Sequence, residues 1–362
     1  MELMEHQKDM VRKSSSNPRY GFWLQPGLGK TVGTLAIVEH RPLKTLVICP
    51  KSVMRAAWMK DAEDYFPELK VVCCWDKTKI KRVEKILESG DADVLVINID
   101  LFKSHAEDFF AAGIRRLVVD ESSMIKNHKA QRTKAIIAFA DKMDSVYLLS
   151  GTPAPNCPTE YYTQVRAIGK GVFGSSFYGF ANKYFFVMTR AISGRDVITG
   201  YKQKSDRADE FHERLRRCSW SLTKEDALDL PSQTDLMRNV FLSKEDQRTY
   251  DMVYAGLASE MEGEKLNAAG QAKLTKMRQI TGGFYYTGEG TVHSSSPVKL
   301  AELDQILDEI KGEPVVIWAS FRAEIDMIKA MMDRRSMRSD VIDGRTNDAG
   351  DIIERFQDGD LD

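Results

Sequence analysis

At 362 residues, 43% of them hydrophobic and 29% charged, the chain exceeds one typical domain and has the make-up of a globular protein of two or three domains, which excludes a disordered or fibrous one. A formal net charge of -1 excludes attachment to nucleic acid through an overall positive field and leaves only local basic faces for that purpose. The five cysteines, Cys49, Cys73, Cys74, Cys157 and Cys218, show no Cys-x-x-Cys spacing, which argues against a disulfide framework and a structural zinc ribbon and fits a reducing compartment.

The amino terminus has no basic stretch followed by an apolar one, and no apolar run approaches the roughly 18 residues of a spanning helix. A cytoplasmic protein without a membrane segment is therefore expected. The apolar spacing of Leu3, His6, Gln7, Met10 and Val11 predicts a helix over 3–13, broken at Ser14-Ser15-Ser16-Asn17-Pro18. An aromatic strand, Tyr20 to Leu24, then runs into Gln25-Pro26-Gly27-Leu28-Gly29-Lys30-Thr31. Glycines at 27 and 29 let the backbone turn with its N–H groups inward, and a helix starting at Lys30 aims its positive end at the same point. Such a loop holds nucleotide phosphates, with Lys30 reaching them and the Thr31 hydroxyl on Mg²⁺. The bland alternative is an ordinary strand-turn-helix junction. Leu24 stands where such loops usually begin with Gly or Ala.

Apolar strands follow over 45–49, 70–75, 93–98, 116–120 and 145–150, alternating with helical segments such as 80–88 and 130–140, and Ser52 is the expected cap of a helix carrying Trp58. Strands apolar on both faces and alternating with helices specify a parallel α/β sheet, so residues 1–155 read as one doubly wound lobe. The strand Leu117-Val118-Val119 delivers Asp120 and Glu121 at its carboxyl end, where such sheets bind ligands. Asp120 can hold a metal and Glu121 can orient and deprotonate a water, the pairing that phosphoryl transfer to water demands. Taken alone, such a pair is also a common solvated strand end. Ser150-Gly151-Thr152-Pro153 ends the next strand and by itself reads as a turn.

Residues 156–295 change to an aromatic and basic composition, with a β-hairpin expected over 185–201 around Ser193-Gly194 and helix over 250–278. Basic residues among aromatics suit a nucleic-acid groove or, equally, the packing of a small helical insert. The basic face of 211–217 reads as a solvated helix face. Gly282-Gly283 and Gly288-Glu289-Gly290 loosen the chain before Pro297, after which helix 298–311, strand 314–318, Ser320-Phe321-Arg322, a helix to 333 and strand 341–344 repeat the α/β alternation.

In this order the pieces resemble the Swi/Snf-type DNA translocases of the superfamily-two helicases, across nearly the whole chain. His6-Gln7 is similar to that family's adenine-reading motif and Gly27 to Thr31 to its phosphate loop. Pro50-Lys51-Ser52 with Trp58 and Phe66-Pro67, Asp120-Glu121 with Lys126-Asn127, and Ser150 to Pro153 with Asn156 are similar to the motifs that follow. The resemblance implies a first RecA-like P-loop NTPase lobe (1–155), a mostly helical insert (156–295) and the start of a second RecA-like lobe (296–362). It implies ATP at Gln7, Gly27, Gly29, Lys30 and Thr31, Mg²⁺ at Thr31 and Asp120, and hydrolysis by Lys30, Asp120 and Glu121. Coupling falls to Ser150, Gly151 and Thr152, and contacts to double-stranded DNA to Lys51, Ser52, Lys126, Ser320, Phe321 and Arg322. A protein partner is compatible with it.

Leu24-Gln25-Pro26 replaces the acidic pair usual before the loop, and Ser123 a histidine, which suggests a phage or bacterial branch. The family's last motifs, with the arginine that enters the nucleotide site, do not occur before Asp362. The chain by itself is therefore expected to bind ATP and hydrolyse it feebly, as part of a longer protein, since such an arginine contributes about 10³–10⁵ in rate. A strand-separating DNA or RNA helicase and a nucleotide-gated binding module are the rival expectations.

Overall fold

The computed structural model describes residues 2–192, 195–229, 234–256, 261–262, 265–266, 268–286, 292–346 and 349–362. The six apolar runs before residue 150 become β1 (Arg19–Leu24), β2 (Thr45–Cys49), β3 (Val71–Cys73), β4 (Val94–Asn98), β5 (Arg116–Val119) and β6 (Ser145–Leu149). A hairpin, β7 (Phe185–Ile192) and β8 (Arg195–Gln203), pairs antiparallel, and β9 (Ser219–Leu222) follows. Seven strands form one sheet in the order β3-β4-β2-β5-β6-β1-β9, every pair parallel. The sheet buries both faces, which is why its central strands read as unbroken apolar runs. Leu46, Ile48, Leu95, Ile97, Leu117 and Val119 point into one core, and Val47, Cys49, Val94, Val96, Val118 and Tyr147 into the other.

Two helices frame the glycine loop, α1 (Glu5–Ser16) and α2 (Lys30–His40). The first runs through the serines expected to break it, because Ser14 is fully buried and its hydroxyl, like that of Ser15, donates back to Val11 O. Ser52 does not cap its helix. Pro50 holds the cap position and exposed Ser52 lies in the first turn.

The aromatic stretch after residue 156 packs into the first core. Phe173 stacks on Phe211 with ring centroids 5.2 Å apart, and Phe180, Tyr184 and Phe185 close around them. Packing therefore accounts for these rings, while Phe186, Met188 and Ile198 of the hairpin stay exposed. The expected hairpin turn Ser193-Gly194 lies outside the described residues, as does Gly288-Glu289-Gly290. The chain divides into two compact units, Met1–Pro231 and Ser232–Asp362. The expected boundary at 155 falls inside the first because β9 returns to the sheet beside β1, and the boundary at 295 falls inside the second.

The second unit carries helices Lys244–Ala255, Ala268–Thr281, Val298–Glu309, Arg322–Arg334 and Ala349–Gln357, with Leu307, Met331 and Met332 at a small core. The one long helix expected over 250–278 is divided between the first two of these. The runs expected as strands at 314–318 and 341–344 form no strand. A strand persists only where a partner takes its backbone groups, neither run has one among the described residues, and Trp318 is 91% exposed.

Candidate nucleotide site

The strand order explains how motifs more than a hundred residues apart meet. Neighbours β2, β5, β6 and β1 point the same way, so their carboxyl ends release Lys51-Ser52, Asp120-Glu121, Ser150-Gly151-Thr152 and the glycine loop side by side. That is the edge at which open α/β sheets bind ligands.

In the loop, Gly27 (φ 87°) and Gly29 (φ 59°) both adopt the left-handed backbone that glycine tolerates. Room is scarce as well, since a Cβ on Gly29 would lie 2.3 Å from Gln7 Nε2. The loop is gripped from α1, where His6 Nε2 meets Leu28 O at 3.0 Å and Gln7 Nε2 donates to Gly29 O at 3.4 Å. Both side chains are buried. Gln7 thus sits on the loop itself, with its Oε1 accepting from Met4 N at 3.0 Å.

Lys30 folds over the turn, and its Nζ donates to Leu24 O (3.0 Å) and Gln25 O (3.4 Å). Burial lowers its ammonium pKa, and the charges of Asp120 and Glu121 partly restore it. Thr31 is half-buried one residue into α2. The other side of the loop leans on Ser150-Gly151-Thr152, because a Cβ on Gly151 would meet Pro26 Cδ at 2.6 Å.

Asp120 is 8% exposed. Its Oδ2 accepts from the Trp58 indole N–H at 2.9 Å and its Oδ1 from Glu121 N at 3.0 Å. Desolvation pushes its pKa up, against those two donors and Lys30. Glu121 is raised by burial first and by Asp120 second. Its backbone lies at φ 51°, ψ 56°, a left-handed conformation that costs a non-glycine residue about 1–2 kcal/mol. Such strain persists where surrounding structure holds it, and it clusters at functional sites.

Ser150 is fully buried and its Oγ accepts from Thr152 N at 3.2 Å. Lys126 is held by Glu160 at 3.3 Å. Lys51 and Ser52 are exposed at the carboxyl end of β2, with Lys51 Nζ 4.4 Å from the Trp75 ring centre. Ser320, Phe321 and Arg322 belong to the second unit. There Glu324 accepts from Ser320 N and Phe321 N, each at 3.0 Å, and Phe321 packs edge-on to Phe284.

The contacts of three residues at this edge escape sequence reasoning. Trp58 was visible as a helix aromatic in a segment resembling a family motif, but its bond to Asp120 was not. Lys224 follows β9, its N–H donating to Gln25 Oε1 at 2.8 Å and its side chain lying against Gly27. Nothing before the placement of β9 could have put it there. Gln164, in helix Tyr161–Ile168, lies behind Ser150 to Pro153 and is fully buried.

A doubly wound parallel sheet with a glycine loop, a carboxylate pair and a Ser-Gly-Thr turn on adjacent strand ends defines an α/β lobe of the P-loop class. A family model described as the SNF2-related domain matches residues 23–283, and the chain belongs to that family. It is 27% identical over 332 residues to a Caenorhabditis elegans protein named SWI/SNF-related matrix-associated actin-dependent regulator of chromatin subfamily A-like protein 1 homolog, covering 88% of this chain and 44% of that one. It is 32% identical over 160 residues to the DNA annealing helicase and endonuclease ZRANB3 of Mus musculus, covering 41% of this chain and 14% of that one. A solved structure, the Sulfolobus solfataricus SWI2/SNF2 ATPase core in complex with dsDNA, aligns with 99% of this chain and 76% of its own at 18% identity and a TM-score of 0.48. The chain thus spans less than half the length of these two curated relatives. Among the described residues no helix is long and apolar enough to cross a membrane.

Proposed function

We propose that the chain is the ATP-hydrolysing part of a motor that moves along double-stranded DNA, with a first RecA-like lobe in residues 1–231 and part of a second in the unit that follows. The single observation carrying this reading is the convergence of the glycine loop, Asp120-Glu121 and Ser150-Gly151-Thr152 on three neighbouring strand ends. Membership of the SNF2-related family and the DNA-acting name of a relative support the choice of track.

The residues fit a nucleotide triphosphate with Mg²⁺. Loop N–H groups and the start of α2 would take the phosphates, and Gln7 would meet the base from its seat on Gly29. Lys30 would exchange its two carbonyl partners for phosphate oxygens. Thr31 and Asp120 would hold the metal, which when bound neutralises charge on the transferring group. Glu121 orients the attacking water and takes its proton, a task favoured by a carboxylate whose pKa burial and Asp120 have raised. Lys51 and Ser52 at the end of β2, Lys126, and Ser320 to Arg322 are the proposed DNA contacts.

The test is hydrolysis by the full-length protein with and without duplex DNA, beside Glu121→Gln. Duplex should raise the parent's rate, and Glu121→Gln should abolish hydrolysis while retaining nucleotide. Release of a triplex-forming strand without unwinding supports translocation, whereas unwinding favours the helicase account. A rate indifferent to every nucleic acid refutes the motor.

A further inference from the structure

Behind the carboxylate pair and the coupling segment lies a side chain that neither motif contains. Gln164 is fully buried, and all three of its hydrogen bonds are specific. Its Oε1 accepts from Ser122 Oγ at 2.7 Å, and its Nε2 donates to Pro153 O at 2.6 Å and to Glu160 O at 3.1 Å. Only one orientation of the amide satisfies this set, because the reverse would turn an oxygen toward two carbonyls. A helix face packed against the sheet could be filled by leucine at no polar cost, so a glutamine here is an expense that packing does not explain.

The two ends of this bridge matter. Ser122 directly follows Glu121, the residue held in the left-handed conformation, and Pro153 directly follows Thr152. A second bridge runs parallel at the surface. Glu160 accepts from Asn156 Nδ2 at 3.0 Å and pairs with Lys126 at 3.3 Å. Burial alone would raise the pKa of Glu160, but the bonds from Asn156 and Lys126 hold it below the usual range. Both bridges spring from one short stretch of chain, residues 160–164, tied to itself by the Gln164 bond to Glu160 O.

We propose that Gln164 is a positioning residue that locks the backbone after Asp120-Glu121 to the backbone after Ser150-Gly151-Thr152, so that a change at the hydrolytic carboxylates is passed to the coupling segment as one rigid movement. Glu160, with Lys126 and Asn156, forms a weaker second strap. The inference rests on the reading of the site as a DNA-stimulated ATPase. A buried bridge suits this task better than an exposed ion pair, because neither water nor salt competes for it and breaking it leaves polar groups unsatisfied.

The experiment compares the full-length parent with Ser122→Ala, Gln164→Leu and the double variant. Each single change should lower the DNA-stimulated kcat by about tenfold, within the range of energetic coupling between sites, while the KM for ATP stays within about twofold. Triplex displacement per ATP consumed should fall in both. Because the two changes cut the same bond, the double variant should be no worse than Gln164→Leu alone, whereas independent structural roles would add. Should Gln164→Leu fail to fold, Ser122→Ala, which trims one hydroxyl, carries the comparison. Variants whose stimulated kcat and displacement per ATP match the parent overturn the strap. So does a loss confined to thermal stability or to KM. A parent that ignores duplex DNA refutes instead the functional reading on which the strap rests.

Discussion

Replacing Trp58 with phenylalanine removes the indole donor to Asp120 while keeping an aromatic ring in the core. The indole N–H donates to Asp120 Oδ2 at 2.9 Å, in surroundings where Trp58 is fully buried and Asp120 nearly so. Phenylalanine leaves Oδ2 without a hydrogen-bond donor among the described residues. A hydrogen bond to a charged group contributes about 1.5–3 kcal/mol, and partners that orient a metal ligand typically contribute 10- to 100-fold in metal affinity. The Mg²⁺ concentration giving half-maximal hydrolysis should therefore rise about 10- to 100-fold in Trp58→Phe, with much of kcat recovered at saturating Mg²⁺. The lost volume costs stability too, so Tm should fall by a few degrees, but a purely structural role would not respond to Mg²⁺. The assay is steady-state hydrolysis across a Mg²⁺ series at fixed ATP. A folded variant whose half-saturation lies within twofold of the parent would refute the claim that the indole supports Asp120.

Gly29→Ala combines a left-handed φ of 59° with a Cβ 2.3 Å from Gln7 Nε2, so it must push Gln7 off the loop. Titration with a non-hydrolysable ATP analogue should show affinity down by at least about tenfold, the consequence of roughly 1.4 kcal/mol, and unchanged affinity sinks the argument. Lys224→Ala removes an exposed ammonium beside Gly27 while its backbone bond to Gln25 remains. The KM for ATP should rise about two- to fivefold, the effect of an exposed charge worth under about 1 kcal/mol, and an unmoved KM would show that it does not address the phosphates. Asp61 is pushed up to about 6, chiefly by burial and then by Asp64. Its raised pKa means that the folded state holds the proton more tightly, so the penalty is absent below about pH 4, grows toward pH 6 and is complete above it. Asp61→Asn should raise stability at pH 7.5 by on the order of 1 kcal/mol after solvent screening, read as a higher Tm, and leave Tm unchanged at pH 4. Equal effects at both pH values would refute this assignment.

The parts of the molecule legible in the sequence are those where chemistry or burial restricts residue type. The runs 45–49 and 145–149 are buried on both faces of the sheet, and only strand-forming apolar residues serve there. Gly27, Gly29 and Lys30 were legible because a tight turn with two left-handed residues opening a helix admits few alternatives. What depends on distant placement was not. β9 reads Ser-Trp-Ser-Leu, too short and mixed to announce a strand, yet its pairing with β1 moves the unit boundary to 231 and brings Lys224 to the loop. Ser14 to Ser16 look like a break because an isolated segment would leave their hydroxyls competing with the helix; burial of Ser14, whose carbonyl also accepts from Arg41 Nη1, overrides that tendency. The partners of Gln164 and Trp58 were not legible because those bonds form only across 42 and 62 residues of chain, although Trp58 itself stands in a segment that resembles a family motif. The segments 314–318 and 341–344 have the composition of strands, and composition cannot supply the partner that makes one.

The position of β1 has a consequence for how the protein is made. This strand is synthesised first, yet its two neighbours in the sheet are β6 and β9, and Phe22 pairs with Leu149 on one side and Trp220 on the other. At ordinary elongation rates of about 5–20 residues per second, the second partner leaves the ribosome on the order of 10 s or more after the first strand. Throughout that interval an aromatic strand waits with unpaired edges, a template for neighbouring chains. Translation speed between codons 25 and 220, and the holdases that meet the nascent chain there, should therefore govern soluble yield more than changes to any single residue of the finished site.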